Sequence, residues 1–253
     1  TGQIINGLID VAKIYNYSIQ LHTMTAGISD INDIIEDLIK SRVDGAVIYS
    51  AKLSGSGMQE LRKYSIPIVL IGNKVHMDNV CSVYVDIEKA VFELSMKYLE
   101  EGKKRIAILE DRKNMASSQQ MVQGAQDAYK KKGMKFNGYL RIPPETRTSY
   151  AYLQKWLKDH RYDLVIGNRD SQAMAIINAA RENQIPEDME VVCILDTKYN
   201  SVFRPTISSF SIPSYDLGAV SMRVMTKMLQ STEEVEKNIE LSYLFTPRQT
   251  TME

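Results

Sequence analysis

Only two cysteines occur in the 253 residues, Cys81 and Cys193, far apart and each in or beside an apolar run. That pattern argues against a disulfide framework and for two buried free thiols in a reducing compartment. The three histidines, His22, His76 and His160, stand alone, without HxxxH or HExxH spacing and without a cysteine pair nearby, so no metal site is expected. Charge of one sign is missing too: Lys+Arg and Asp+Glu both total 31. No basic surplus favours nucleic acid, and any DNA contact has to come from a segment outside this sequence. No apolar stretch approaches the ~20 residues that a membrane-spanning helix needs. The opening TGQIINGLIDVAKIY is a helical pattern rather than a secretory leader. A cytoplasmic location is expected, and a chain that opens inside an amphipathic helix reads as one whose upstream part is missing.

Catalytic signatures are equally scarce. There is no GxSxG elbow, no Walker loop and no GxGxxG after a strand. LSGSG at 53–57 lacks the GK[ST] ending of a phosphate loop and reads as a strand-to-helix connection. Of the adjacent carboxylates Glu100-Glu101, Glu110-Asp111 and Glu233-Glu234, only Glu110-Asp111 closes a buried strand. A binding or regulatory module without a cofactor is therefore favoured over an enzyme.

What the sequence does contain is alternation. Short runs rich in Ile, Val and Leu predict strands at 17–23, 45–50, 66–72, 105–110, 163–168 and 190–195. Between them, 3.6-residue periodicity predicts helices over 31–41, 87–101, 117–132, 149–160 and 171–183. Gly102 and Gly133 each follow a helical run and read as C-terminal caps. The pattern predicts an α/β fold of parallel sheets covered on both faces. The elements are too many for one open sheet, so two doubly wound lobes are expected, with a ligand cleft at the carboxyl ends of their strands.

The run YDLGAVSMRVMTKML at 215–229 predicts a helix with two faces. Leu217, Val220, Val224 and Met228 follow core spacing. Asp216, Ala219, Arg223 and Lys227 form a second stripe, acidic first and cationic later, as the helix dipole prefers. Spacing alone leaves this stripe open between solvated surface and a docking site.

Five stretches, in order, resemble the effector-binding core of the LacI/GalR family of bacterial transcription regulators. They are SRVDGAVIYS, IPIVLIGN, VDIEKAVFELSMKYLEEGKKRIAIL, QIPEDMEVVCILDT and RPTISSFSIPSYDLGAVSMRVMTKML. The resemblance implies two periplasmic-binding-protein-like lobes joined by three crossovers. Residues 1–84 with 211–239 would form the first lobe, on the partner and dimer side, and 85–210 with 240–253 the second. It implies a homodimer, and DNA binding only through an N-terminal helix-turn-helix domain that this sequence does not contain. A hinge helix and the first core strand of the family are likewise not represented.

Within the family, YDLGAVSMRVMTKML and KIYNYSI at 13–19 are similar to elements of the catabolite-control subgroup. That likeness implies docking of the serine-phosphorylated phosphocarrier protein of the sugar phosphotransferase system. The implied contacts are Tyr15, Tyr17, Tyr215, Asp216, Ala219, Met222, Arg223 and Lys227. Arg223 and Lys227, one turn apart, would share the phosphate. The family's effector positions depart from the sugar-binding pattern. Met121 stands at an arginine position, Leu195 at an aspartate position with Asp196 one residue late, and Glu145 near a cleft aromatic. Arg169-Asp170 replaces an Asn-Asp pair, with one residue inserted. Asn73, Lys74, Asp86, Arg169, Asp170 and Asp196 remain to form a different polar pocket. Two alternatives stand beside the phosphoprotein reading: the same type of regulator under a small-molecule effector, and a solute-binding receptor of a transport system.

Overall fold

The computed structural model describes residues 2–22, 37, 40–49, 63, 65–72, 74, 77, 80–110, 116–143, 145–185, 188–230 and 235–251. Asn73, His76, Asp111, Glu233, Glu234, the 53–57 segment and most of the expected helix 31–41 lie outside these. Asp37, Lys40 and Ser41 of that helix are described, and all three are helical.

In chain order the elements are α1 (Gly2–Ile14), β1 (Ala46–Tyr49), β2 (Ile68–Ile71), β3 (Val80–Tyr84), α2 (Ile87–Glu100) and β4 (Ile106–Glu110). Then come α3 (Ala116–Lys131), β5 (Tyr139–Arg141), α4 (Thr146–Asp159), β6 (Leu164–Gly167), α5 (Asp170–Glu182) and β7 (Glu190–Cys193). The last are α6 (Lys198–Val202), β8 (Ser208–Ser211), α7 (Ser214–Gln230), β9 (Asn238–Glu240) and β10 (Leu244–Thr246). The chain divides into two compact units, Thr1–Asp86 with Pro213–Ser242 and Ile87–Ile212 with Tyr243–Glu253.

The first unit holds a parallel sheet of order β1-β2-β3-β9, in register with Val69 between Val47 and Cys81. β2 and β3 are buried at every position, as strands covered on both faces must be. The second unit holds a six-stranded sheet of order β10-β8-β7-β6-β4-β5, parallel except for β10. Its core joins Leu109, Val165, Ile176 and Val191 to Leu153 and Leu157 of α4. At the other end of that sheet, Glu190 is buried where β7 begins. It accepts a hydrogen bond from the Tyr98 hydroxyl and an ion pair from Lys103 at 2.6 Å.

Gly102 and Gly133 both sit in the left-handed region, with φ of 81° and 68°. Each closes its helix with the paired backbone bonds of a Schellman turn, Lys103 to Tyr98 and Gly102 to Leu99 in the first. Both cysteines are buried free thiols, and burial pushes the Cys193 thiol up to about 12.

Residues 17–22 form no strand, contrary to the sequence expectation. A strand exists only against a neighbour, and among the described residues nothing pairs with this segment or with the free side of β1. The strands β3, β5, β8, β9 and β10 and the short helix α6 were not expected. β5, β9 and β10 have only three residues each and lie at the sheet edges, where exposure breaks the apolar signal.

Candidate functional site

The expected docking helix α7 does not have one buried stripe and one free stripe. It is buried along Leu217, Gly218, Ala219, Ser221, Met222, Val224, Met225 and Thr226. One side covers the first sheet, and a second side is covered by α1. Two glycines explain the second contact. A Cβ at Gly7 would meet the Tyr215 carbonyl oxygen at 2.2 Å, and one at Gly218 would meet the Ile4 carbonyl oxygen at 2.0 Å. The helices thus touch backbone to backbone, which only residues without side chains allow. Ala219 and Met222, expected as partner contacts, are therefore buried, at 5% and 6% exposure. Ala219 belongs to the packing of α1 on α7, since its backbone nitrogen lies 2.7 Å from where a Gly7 Cβ would stand.

What remains exposed on α7 is narrower: Tyr215, Asp216, Arg223, Lys227 and Gln230. From Asp216 to Gln230 the stripe is roughly 21 Å long at 1.5 Å per residue. Arg223 and Lys227, four residues apart, make no ion pair or hydrogen bond among the described residues. The α1 segment supplies the flank. The Tyr215 hydroxyl donates to Asp10 Oδ2 at 3.1 Å, and Gln230 Nε2 donates to the Tyr17 hydroxyl at 3.2 Å. The hydrogen bond to Asp10 raises the Tyr215 phenol above its ordinary pKa, and the Arg223 charge opposes that shift. Tyr15 is exposed and Tyr17 half-buried. The structure thus brings Tyr17 and Tyr215 onto one face with the exposed stripe of α7, and adds Asp10 and Gln230, which sequence spacing did not single out.

The expected effector residues fall in both units, and each set is described in its own. In the first, Lys74 and Asp86 pair with each other at 2.9 Å, and the Lys74 ammonium lies 5.0 Å from the Tyr84 ring centroid. Asn73 lies outside the described residues. In the second, Met121 is fully buried and Leu195 packs against the core. Glu145 is exposed at the start of α4, and Arg169 is half-buried at the N-cap of α5.

Asp170 and Asp196 are already taken up internally. Asp170 accepts from the Ser171 N–H at 2.6 Å and from the Thr197 hydroxyl at 2.7 Å. Asp196 accepts from the Ser209 hydroxyl at 2.8 Å and pairs with Arg248 at 3.1 Å. They do not form a polar pocket of free side chains, because Thr197, Ser209 and Arg248 satisfy them.

A different polar group sits at the carboxyl ends of β4 and β6. Asn168 donates from Nδ2 to the Ser117 and Ser118 hydroxyls at 3.1 and 3.3 Å, and its N–H donates to Gln172 Oε1 at 2.7 Å. Glu110 is buried beside Ser118, with Arg141 at 3.9 Å. Burial pushes the Glu110 carboxyl above its ordinary value, offset in part by the Ser118 hydrogen bond and the Arg141 charge. Gln172 Nε2 is buried with no hydrogen-bond partner among the described residues. Of this group only Glu110 carried a sequence signal, as the polar end of an apolar run.

Residues 97–251 match the family of periplasmic binding protein-like domains. The chain belongs to that family. Within it, this domain is a LacI/GalR-type effector-binding core of the catabolite-control kind. Catabolite control protein A of Staphylococcus epidermidis is 25% identical over 98% of this chain and 77% of its own length. The transcription regulator CcpA of Lactococcus lactis has the same fold, with a TM-score of 0.81 at 23% identity over 99% of this chain and 94% of that one. A LacI family regulator of Enterococcus faecium with bound ribose superposes with a TM-score of 0.80 at 19% identity, over 99% and 93% of the two chains. Among the described residues of this periplasmic binding protein-like core, no helix is long and apolar enough to cross a membrane.

Proposed function

We propose that this core receives a serine-phosphorylated phosphocarrier protein on the exposed stripe of α7. The observation that carries the reading is the pair Arg223 and Lys227: two exposed cations one helical turn apart, neither in an ion pair or hydrogen bond among the described residues. Arg offers a planar pair of donors and Lys a mobile charge, a combination suited to a phosphoserine. Tyr17, Tyr215 and Asp216 share the face with them, the exposed Tyr15 lies two residues before Tyr17, and these side chains offer aromatic and acidic contact to a protein surface. The parent protein acts as a cytoplasmic homodimer without catalytic activity, binding DNA through another segment. Docking biases that dimer between two states rather than creating a new one.

The test is a titration of the chain with phosphorylated and unphosphorylated phosphocarrier protein. Binding that requires the phosphate, and falls at least about tenfold in the double variant Arg223→Ala with Lys227→Ala, is expected. Equal affinity for both forms sinks the reading.

A small-molecule effector is the second reading, favoured by the cluster of Glu110, Ser117, Ser118, Asn168 and Gln172, whose buried amide nitrogen has no partner among the described residues. Against it stand the buried Met121 and the internally satisfied Asp170 and Asp196. A sugar that raises the melting temperature in a concentration-dependent way would support this reading over the first.

A further inference from the structure

We infer that Asp10 is a positioning residue of the docking face, fixing the Tyr215 hydroxyl as a hydrogen-bond acceptor toward the partner. The inference rests on the phosphoprotein reading and adds to it which end of the partner meets which end of α7. Gly7 brings the α1 backbone onto the first turn of α7, so Asp10, one turn further along α1, is carried to Tyr215 by a rigid backbone contact. The phenol has one proton, and that proton is directed at Asp10 Oδ2, 3.1 Å away. Only its lone pairs then remain for a partner. A hydroxyl so held accepts from an N–H or O–H and turns away a phosphate oxygen, which can only accept. Asp216 stands beside it with a second acceptor-only group. Arg223 and Lys227 lie further along the same stripe with donors alone. The face is therefore polar along its length, taking a donor or cationic group at the Tyr215 end and the phosphate at the Lys227 end.

The experiment is a double-mutant cycle on affinity for the phosphorylated phosphocarrier protein, using Asp10→Ala, Tyr215→Phe and the two combined. Each single change is expected to weaken binding about 3- to 10-fold, the loss of one hydrogen bond. The combined variant should lose no more than either alone, because both remove the same contact. Asp10→Asn keeps an acceptor oxygen and should restore binding, a rescue that a merely structural role in α1 packing would not single out. Melting temperatures of all variants identify any that fails to fold, and Tyr215→Phe, with its ring retained, is the safest of them. Unchanged affinity in Asp10→Ala, additive losses, or no rescue by Asp10→Asn would overturn the inference. If the unaltered chain does not distinguish the phosphorylated partner, the docking reading itself fails, a separate outcome visible before any variant is made.

Discussion

Glu110 and Met121 lie at neighbouring elements of the second unit and illustrate what burial does to a side chain. Met121 occupies a position that resemblance to sugar-binding relatives assigns to an effector contact, yet it is wholly buried in the core. Sequence periodicity on α3 is compatible with either role, so only packing decides. Glu110 is the opposite case, an ionisable group ending a run of apolar residues, and it is buried too. Its folded-state pKa is raised above the ordinary value of 4.5. The protonated form is thus favoured by folding, and the stability it contributes is present below that ordinary value and lost as pH rises through the folded pKa. Glu110→Gln keeps the shape and an acceptor for Ser118 without the charge. The variant is expected to be more stable than the parent at pH 7, with the difference vanishing below about pH 4. Urea unfolding at several pH values measures this, and a variant less stable at neutral pH would contradict it.

At the scale of elements, the central strands β2, β4, β6 and β7 were legible because continuous Ile, Val and Leu leave few other fates for a short segment. β8 was not, because SSFS reads as a loop until its partners are known. Ser208 and Ser209 are buried there, with hydroxyls engaged by Arg248, Thr251 and Asp196. Such long-range polar satisfaction has no local signature. The α1–α7 contact was missed for a related reason. Gly7 and Gly218 each look like weak points in a helix, and only their mutual approach gives them a purpose. That contact carries Asp10 to Tyr215, so the proposed docking face depends on it. Gly218→Ala must push α1 away or bend it, since the new Cβ would fall 2.0 Å from a backbone oxygen. A loss of about 1–3 kcal/mol or more is expected from overpacking. Weaker phosphoprotein binding should accompany it even at temperatures where the variant is fully folded. Calorimetry with a parallel binding titration tests both parts, and an unchanged melting temperature would refute the packing account.

For the whole molecule, the connectivity matters more than any one contact. Each unit is built from two separate stretches of chain, so the candidate residues of one face come from distant sequence. Arg223 and Lys227 are legible as a pair because they share a helix; the bonds of Asp10 and Gln230 are not, because their phenolic partners lie over 200 residues away. The same holds for the second unit, whose closing segment returns after α7. Thr250 accepts from the Ser208 N–H at 2.9 Å and donates to the Val191 carbonyl at 2.6 Å, while Arg248 pairs with Asp196. These bonds join the end of the chain to β7 and β8, two interior strands of their sheet. A chain ending at Ser242 would strip β10 from the sheet edge and leave Asp196 without its cation. It would also leave the buried N–H of Ser208 and carbonyl of Val191 without their side-chain partner. Unsatisfied buried groups cost roughly 1–3 kcal/mol each, so the sum is comparable to the whole stability of a domain. The shortened chain should therefore lose amide-exchange protection in β6, β7 and β8. The first unit retains both of its stretches, and protection in β2, β3 and α7 should persist. Hydrogen exchange read by mass spectrometry separates the two regions. Protection lost equally in both units would mean that they fold as one cooperative body, and protection kept in both would mean that the closing segment is dispensable.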